Sequence, residues 1–218
     1  RSTRLPRAIR DVYKRQGGPS RTIVHLVRHG EVYNPKKILY GRMPGYHLSS
    51  RGKSMALVTS KFFEGRDVTY LAASPLERAQ ETAQPIAEVT GCEIQTREDI
   101  LEAGNTFEGL RTKGWRTQLA NPIRWRHLTN PFKPSWGEAY DAILERMWDA
   151  VIDARDIADG HEAVMVSHQL PIVMVQRQVQ GKPLAHMSRQ CDLASVTSLV
   201  FEGGRVVDWA YNTPAQEI

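Results

Sequence analysis

Three short apolar runs do most to limit what this chain can fold into: Thr22–Val27 (TIVHLV), Val68–Ala73 (VTYLAA) and Ala163–Val166 (AVMV). Each has the length of a strand and stays mostly apolar at successive positions, as a strand covered on both faces does. Helical periodicity fills the intervals. Ser49 is placed to cap a helix with Ala56, Phe62 and Phe63 on its apolar side and Gly65 at its stop. Ser74-Pro75-Leu76-Glu77 reads as a capping box, with Ser74 as the cap and Pro75 at the first helical position. Leu76, Ala79, Ala83, Ile86 and Ala87 then form one helical face. Glu138–Ala158 predicts a long helix ended by Gly160, with Ala139, Ile143, Met147, Ala150, Val151 and Ala154 inward. A further helix starts at Leu170-Pro171 and ends near Gly181. Cys92–Arg97 suits a short strand, and Ser195–Phe201 with Val206–Tyr211 suits a hairpin around Gly203-Gly204. Strands alternating with helices predict an α/β fold, a three-layer α/β/α arrangement around a mostly parallel sheet.

The 218 residues carry a net charge of +5, which by itself invites a nucleic-acid partner. The charge is not evenly spread. Residues 1–21 hold seven bases against one acid, and the remainder holds 22 against 23. The basic character therefore belongs to the tail, and no nucleic-acid surface is expected on the folded part. Residues 1–21 are expected to be a disordered basic extension or an assembly scar, and residues 22–218 a single domain. Within it, an irregular excursion at about 105–136 carries Trp115, Trp125 and Trp136, and reads equally as a binding lid or as a surface-packed loop. The longest uncharged stretch, Ala163 to Gln176, is 14 residues and contains Ser, His, Gln and Pro, too short and polar to cross a bilayer. No membrane partner is expected. Cys92 and Cys191 make no metal spacing and no disulfide framework. They read as buried thiols of a cytoplasmic protein.

Polar groups follow three of the strands at once: Arg28-His29 after the first, Ser74 to Arg78 after the second, and Ser167-His168 after Ala163–Val166. In an α/β sheet these positions meet beyond the carboxyl ends of the strands, where ligands bind. Two arginines and two histidines converging there suit a phosphoryl group. Guanidinium forks match phosphate oxygens, and Arg78 lies in the first turn of a helix, whose positive end favours an anion. A neutral imidazole can attack phosphorus and hold the phosphoryl group. A carboxylic acid is then needed to protonate the leaving oxygen.

Leu26-Val27-Arg28-His29-Gly30-Glu31 resembles the opening motif of the histidine phosphatase superfamily, also called phosphoglycerate-mutase-like. Further elements follow in that family's order: Gly41 with Leu48-Ser49 and Gly52, Ser74 to Ala83 (SPLERAQETA), Glu102 with Phe107-Glu108-Gly109, Gly137-Glu138, and Val166-Ser167-His168. The resemblance spans about Thr22 to Tyr211. It implies that His29 is the nucleophile and becomes phosphohistidine. Arg28, Arg78 and His168 would hold the phosphoryl oxygens, Glu102 would act as general acid and then base, and Asn34 would add a hydrogen bond to phosphate. No metal or other cofactor is implied, because cationic side chains fill a metal ion's place. Asn34 follows His29 by five positions, whereas many members have six. The segment after Glu102 lacks the His-Tyr-Gly of glycolytic phosphoglycerate mutases, and their basic substrate loop is not recognisable.

The expected function is hydrolysis of a small phosphorylated metabolite. A phosphoglycerate mutase, or a non-catalytic phospho-ligand or protein-binding module, is the alternative. Glu31 and Glu108 read as supporting residues. Tyr40 and Arg42 read as substrate contacts or as loop packing. His25 reads as packed or half exposed, and His47, His127, His161 and His186 as surface residues.

Overall fold

In the computed structural model, which describes residues 20–105, 108–109, 137–185 and 189–218, the three apolar runs become neighbouring strands of one sheet. The elements in chain order are β1 (Arg21–Arg28), α1 (Ser50–Ser60), β2 (Val68–Ala73), α2 (Glu77–Thr90), β3 (Ile94–Thr96), α3 (Tyr140–Ile157), β4 (Glu162–Ser167), α4 (Gln169–Val179), β5 (Val196–Glu202) and β6 (Arg205–Asn212). The strand order is β3-β2-β4-β1-β5-β6. The first four of that order run parallel, and β5 is antiparallel to both β1 and β6. The expected mostly parallel three-layer fold is what forms.

The period of two along each strand assigns the two cores. Val24, Leu26, Ala163 and Met165 face α3 and α4, packing with Ile143, Met147, Val151 and Ile172. Val27, Val164 and Val166 point to the other face, against Phe63 and the Ala79, Ala83 and Ile86 stripe of α2. His25 shares that second face. It is almost fully buried and bridges Ser198 Oγ (2.8 Å) and Glu162 Oε2 (3.0 Å), with Arg66 Nη1 donating to the same carboxylate at 3.1 Å. Buried polar groups survive in a core only when paired in this way.

The structure corrects several expectations. Ser74 does not cap α2. The cap position falls at Leu76, which gives no side-chain hydrogen bond, and the helix begins at Glu77. The Glu77 carboxylate closes no capping box and instead accepts from the Gly45 backbone N–H at 2.9 Å. Ala139 is exposed, because the long helix begins at Tyr140, not Glu138; the other five inward positions are fully buried. Cys191 is buried as expected, but Cys92 is only partly so, and both are free thiols. His47 and His161 lie on the surface beside Glu81 and Asp67. His127, His186, the tryptophans of the excursion and residues 1–19 lie outside the described residues. No helix among the described residues is long and apolar enough to cross a membrane.

Candidate active site

Sheet register brings the polar residues together. Arg28 is level with Ser167 on the adjacent parallel strand, so His29 and His168, one residue on, emerge side by side. Their ring centroids are 5.3 Å apart. Ala73 is level with Val166 across β4. Ser74 therefore leaves β2 beside His168, and its Oγ lies 2.7 Å from His168 Nε2. The residue read as a helix cap is thus a partner of the second histidine. The missed signal was its place: a hydroxyl at the end of a parallel strand, one residue short of the level of a histidine on the next one.

Two glycines let this corner close. A Cβ on Gly30 would stand 2.6 Å from the Gly52 carbonyl oxygen, and one on Gly52 would stand 2.0 Å from that of Glu31. Only hydrogen at both positions allows the loop after β1 to lie against the first turn of α1. The Gly30 N–H donates to Thr82 Oγ1 at 3.1 Å, which fixes the loop to α2 as well. Glu31 is a structural partner, accepting from Ser49 Oγ and Arg51 Nη1, each at 2.7 Å.

His29 is almost fully buried, and its Nδ1 donates to the Gly30 carbonyl at 2.8 Å. That bond places the proton on Nδ1 and leaves Nε2 as a bare lone pair. Burial, then the nearby Arg78 and Arg28 guanidinium groups, hold the His29 pKa well below the ordinary imidazole value. The ring is therefore neutral at neutral pH and chemically a nucleophile. His168 is held down likewise, by burial first and then by His29 and the arginines.

Arg78 is fully buried, a rare state for an arginine. Its Nη2 donates to the Gly41 carbonyl at 2.6 Å, and its guanidinium carbon stands 4.7 Å from the Tyr40 ring centroid. Arg28 donates through Nη1 to the Cys191 carbonyl. Among the described residues, Arg28 Nε, Arg78 Nε and Nη1, and His168 Nδ1 are buried without a hydrogen-bond partner. Leaving such groups unpaired is costly. Donors of this kind, on residues grouped around the neutral His29 ring, are able to pair with an oxyanion.

A cavity of about 270 Å³ opens onto Arg28 and His29. Glu102, Tyr40, Tyr140, Gln169, Leu170 and Arg189 also line it. Glu102 follows a short 3-10 turn, and its Oε1 accepts from the Ala103 N–H at 2.9 Å. Burial raises its pKa, outweighing the hydrogen bond and the arginines that pull it down. Asn34 stands apart from this group. Its amide is committed to the Ile38 backbone, donating to the carbonyl at 2.8 Å and accepting from the N–H at 3.0 Å. It stiffens the turn that carries Ile38 and Leu39 into the cavity wall. Among the described residues, no group of three or more His, Cys, Asp or Glu side chains is placed to hold a metal ion.

The buried histidines predict a pH dependence of stability. His25, His29 and His168 are all held below their ordinary value, burial being the first cause in each. Below about pH 6.5 the unfolded chain takes up protons on these residues, while the folded protein resists them. Their contribution is complete above that pH and is lost as pH falls below it. Glu102, raised in the folded state, acts with the opposite sign but is one group against three. Thermal melts should show Tm falling from about pH 7.5 to about pH 5.5. A flat or rising Tm would contradict the buried neutral imidazoles.

Residues 24–213 match the family model of the histidine phosphatase superfamily (branch 1). The chain is 48% identical over 199 residues to the uncharacterised protein Rv0525 of Mycobacterium tuberculosis, covering 90% of this chain and 98% of that one. It is 28% identical over 169 residues to a protein of Cronobacter sakazakii named as a probable phosphoglycerate mutase, GpmB, covering 73% and 75% of the two chains. Its fold superposes on the phosphoserine phosphatase of Entamoeba histolytica, solved in complex with 3-phosphoglyceric acid, with a TM-score of 0.71 at 20% identity, covering 89% of this chain and 99% of that one.

Proposed function

From the premise that this chain belongs to the histidine phosphatase superfamily, we propose that it is a metal-independent phosphomonoester hydrolase working through a phosphohistidine on His29. The observation that carries the reading is the buried His29 ring, its Nδ1 tied to the Gly30 carbonyl, grouped with nitrogens of Arg28, Arg78 and His168 that have no partner among the described residues. An oxyanion is the ligand that such donors lack.

The reaction has two steps. In the first, the His29 Nε2 lone pair attacks phosphorus and the bond from phosphorus to the ester oxygen breaks. Arg28 and Arg78 take up the charge developing on the phosphoryl oxygens, in place before the reaction begins. With Ser74 donating to His168 Nε2, the proton of His168 sits on Nδ1 and supplies one more donor. Glu102, kept protonated by its raised pKa, gives its proton to the departing oxygen. In the second step a water attacks the phosphohistidine, and the Glu102 carboxylate takes the water's proton. The phosphorus–nitrogen bond breaks and returns its electron pair to Nε2. Guanidinium groups supply the positive charge that a metal ion provides in other phosphatases.

The cavity of about 270 Å³ has room for a small molecule, which supports a small phosphorylated metabolite as substrate, and we place its hydrolysis in the cytoplasm. Hydrolysis is favoured over mutase activity because the segment after Glu102 lacks the His-Tyr-Gly sequence of the glycolytic mutases and their basic substrate loop is not recognisable. The test is p-nitrophenyl phosphate hydrolysis in excess chelator. Turnover that survives the chelator supports metal-free chemistry. Turnover abolished by chelator and restored by a divalent cation would overturn it. A folded protein that interconverts 3- and 2-phosphoglycerate after priming, without net hydrolysis, would make it a mutase.

A further inference from the structure

Glu102 sits in no helix or strand, yet a general acid must be held to within a fraction of an ångström of the leaving oxygen. Its own side chain is held only by the Ala103 N–H at 2.9 Å among the described residues. We infer that Arg42 and Glu138 are the positioning residues of this acid, bracing the Glu102 backbone next to the point where Asn105 and Gly137 pair. The inference rests on the proposed role of Glu102.

Arg42 reaches three chain segments. Its Nε donates to the Glu102 carbonyl at 2.6 Å, its Nη2 to Glu138 Oε2 at 2.8 Å, and its backbone N–H to Glu108 Oε1 at 3.0 Å. Glu138 ties the returning segment to the outgoing one. Its Oε2 accepts from the Gly104 N–H at 3.3 Å, and its own N–H donates to the Gly104 carbonyl at 3.1 Å. Asn105 and Gly137 pair as an antiparallel bridge one step further along. Behind them Arg146 forks onto the same carboxylate, Nε to Oε1 at 2.7 Å and Nη2 to Oε2 at 3.1 Å, while its Nη1 donates to the Asp99 carbonyl at 2.7 Å. The backbone at 99 and 102 is thus held by two arginines, and that at 104 by the glutamate on which they meet.

An exposed ion pair alone would do little. This group is different because it is partly buried, bidentate and shared between several segments. The two carboxylates are also set apart in character. Burial raises Glu102, whereas at Glu138 the same burial is overcome by Arg146 and then Arg42, which hold it below the ordinary value. Glu138 stays ionised at a pH where Glu102 is protonated, so the brace keeps its charge while the acid exchanges its proton.

The experiment compares p-nitrophenyl phosphate, whose leaving group needs no proton, with β-glycerophosphate, whose leaving group does. Glu102→Gln fixes the reference: it should lose at least about 100-fold in kcat on the alkyl ester and far less on the aryl ester. Arg42→Ala and Glu138→Ala should show the same split with KM little changed, at about 10- to 100-fold. In the Glu102→Gln background they should cost less than about 3-fold, because there is no acid left to position. Equal losses on both esters, or additive losses in the double variants, would reduce the brace to general structural support and overturn the inference. A split for Glu102→Gln with none for the brace variants overturns the inference alone, whereas no split for Glu102→Gln overturns the acid role itself. Arg42→Lys keeps a charge near Glu138 but cannot fork between Glu138 and Glu102. Should the alanine variants not fold, Arg42→Lys is expected to show the split, and its absence is equally decisive.

Discussion

Replacing His29 by alanine should lower turnover by at least about 10⁴-fold on every phosphomonoester, activated or not. The size follows from chemistry. Loss of the acid matters only where the leaving group is poor, but loss of the nucleophile removes the first step for all substrates. The fold should tolerate the change. Among the described residues the ring makes one hydrogen bond, to the Gly30 carbonyl, worth about 1 kcal/mol. Arg28, Arg78 and His168 remain, so inorganic phosphate should still bind and still raise Tm. A base-quenched reaction of the wild type should carry one acid-labile phosphoryl group on His29, and the variant none. Residual turnover within about 100-fold of wild type, or a phosphorylated variant, would remove His29 from the nucleophile's role.

The parts of this site that are legible in the sequence are those fixed by strands. A parallel strand covered on both faces announces itself as an apolar run, and the residue that follows it has nowhere to go but the carboxyl edge. The strand pattern alone therefore puts Arg28, His29 and His168 at that edge, and the β1–β4 register explains why they meet. Ser74 shows the limit of that reading. The pattern Ser-Pro-Leu-Glu satisfies a capping box as a local rule, yet the serine faces a histidine 94 residues away. Local chemistry is outweighed by a tertiary hydrogen bond between two buried groups. Asn34 carries a part that sequence does not show: the loop residue that the resemblance assigns to the ligand also holds the turn around Ile38 through its amide. The brace around Glu102 is beyond the reach of sequence for a different reason. Arg42, Gly104, Glu138 and Arg146 come from segments with no shared periodicity to align them, and only the folded path brings them to one carboxylate.

Substituting Arg78 by methionine should lower kcat/KM by at least about 10³-fold and yet leave the protein as stable as before, or more so. The opposition arises from one observation. Arg78 is fully buried, and its Nε and Nη1 have no hydrogen-bond partner among the described residues. Burial is also the first cause of its lowered pKa, opposed by Tyr40, Glu102, Glu77 and Glu108. A buried cation so poorly paired is a burden on the free protein. Exchanging buried charges for an apolar side chain of similar volume is neutral or stabilising by about 1–4 kcal/mol in other proteins. Against that stand the lost bond to the Gly41 carbonyl and the lost contact with the Tyr40 ring, about 1 kcal/mol each. The balance predicts a Tm unchanged or raised by about 3 °C. Phosphate should separate the two proteins. In the wild type it occupies the idle nitrogens and raises Tm, by an amount set by its concentration relative to Kd. In Arg78→Met that rise should shrink sharply, because two of the four unpaired donors are gone. A variant that melts more than about 5 °C below wild type would show that Arg78 holds the fold together. One that keeps wild-type activity would show that the guanidinium plays no part in the reaction. The predicted combination, lost turnover with retained stability, is what distinguishes a residue buried for its ligand from one buried for the core.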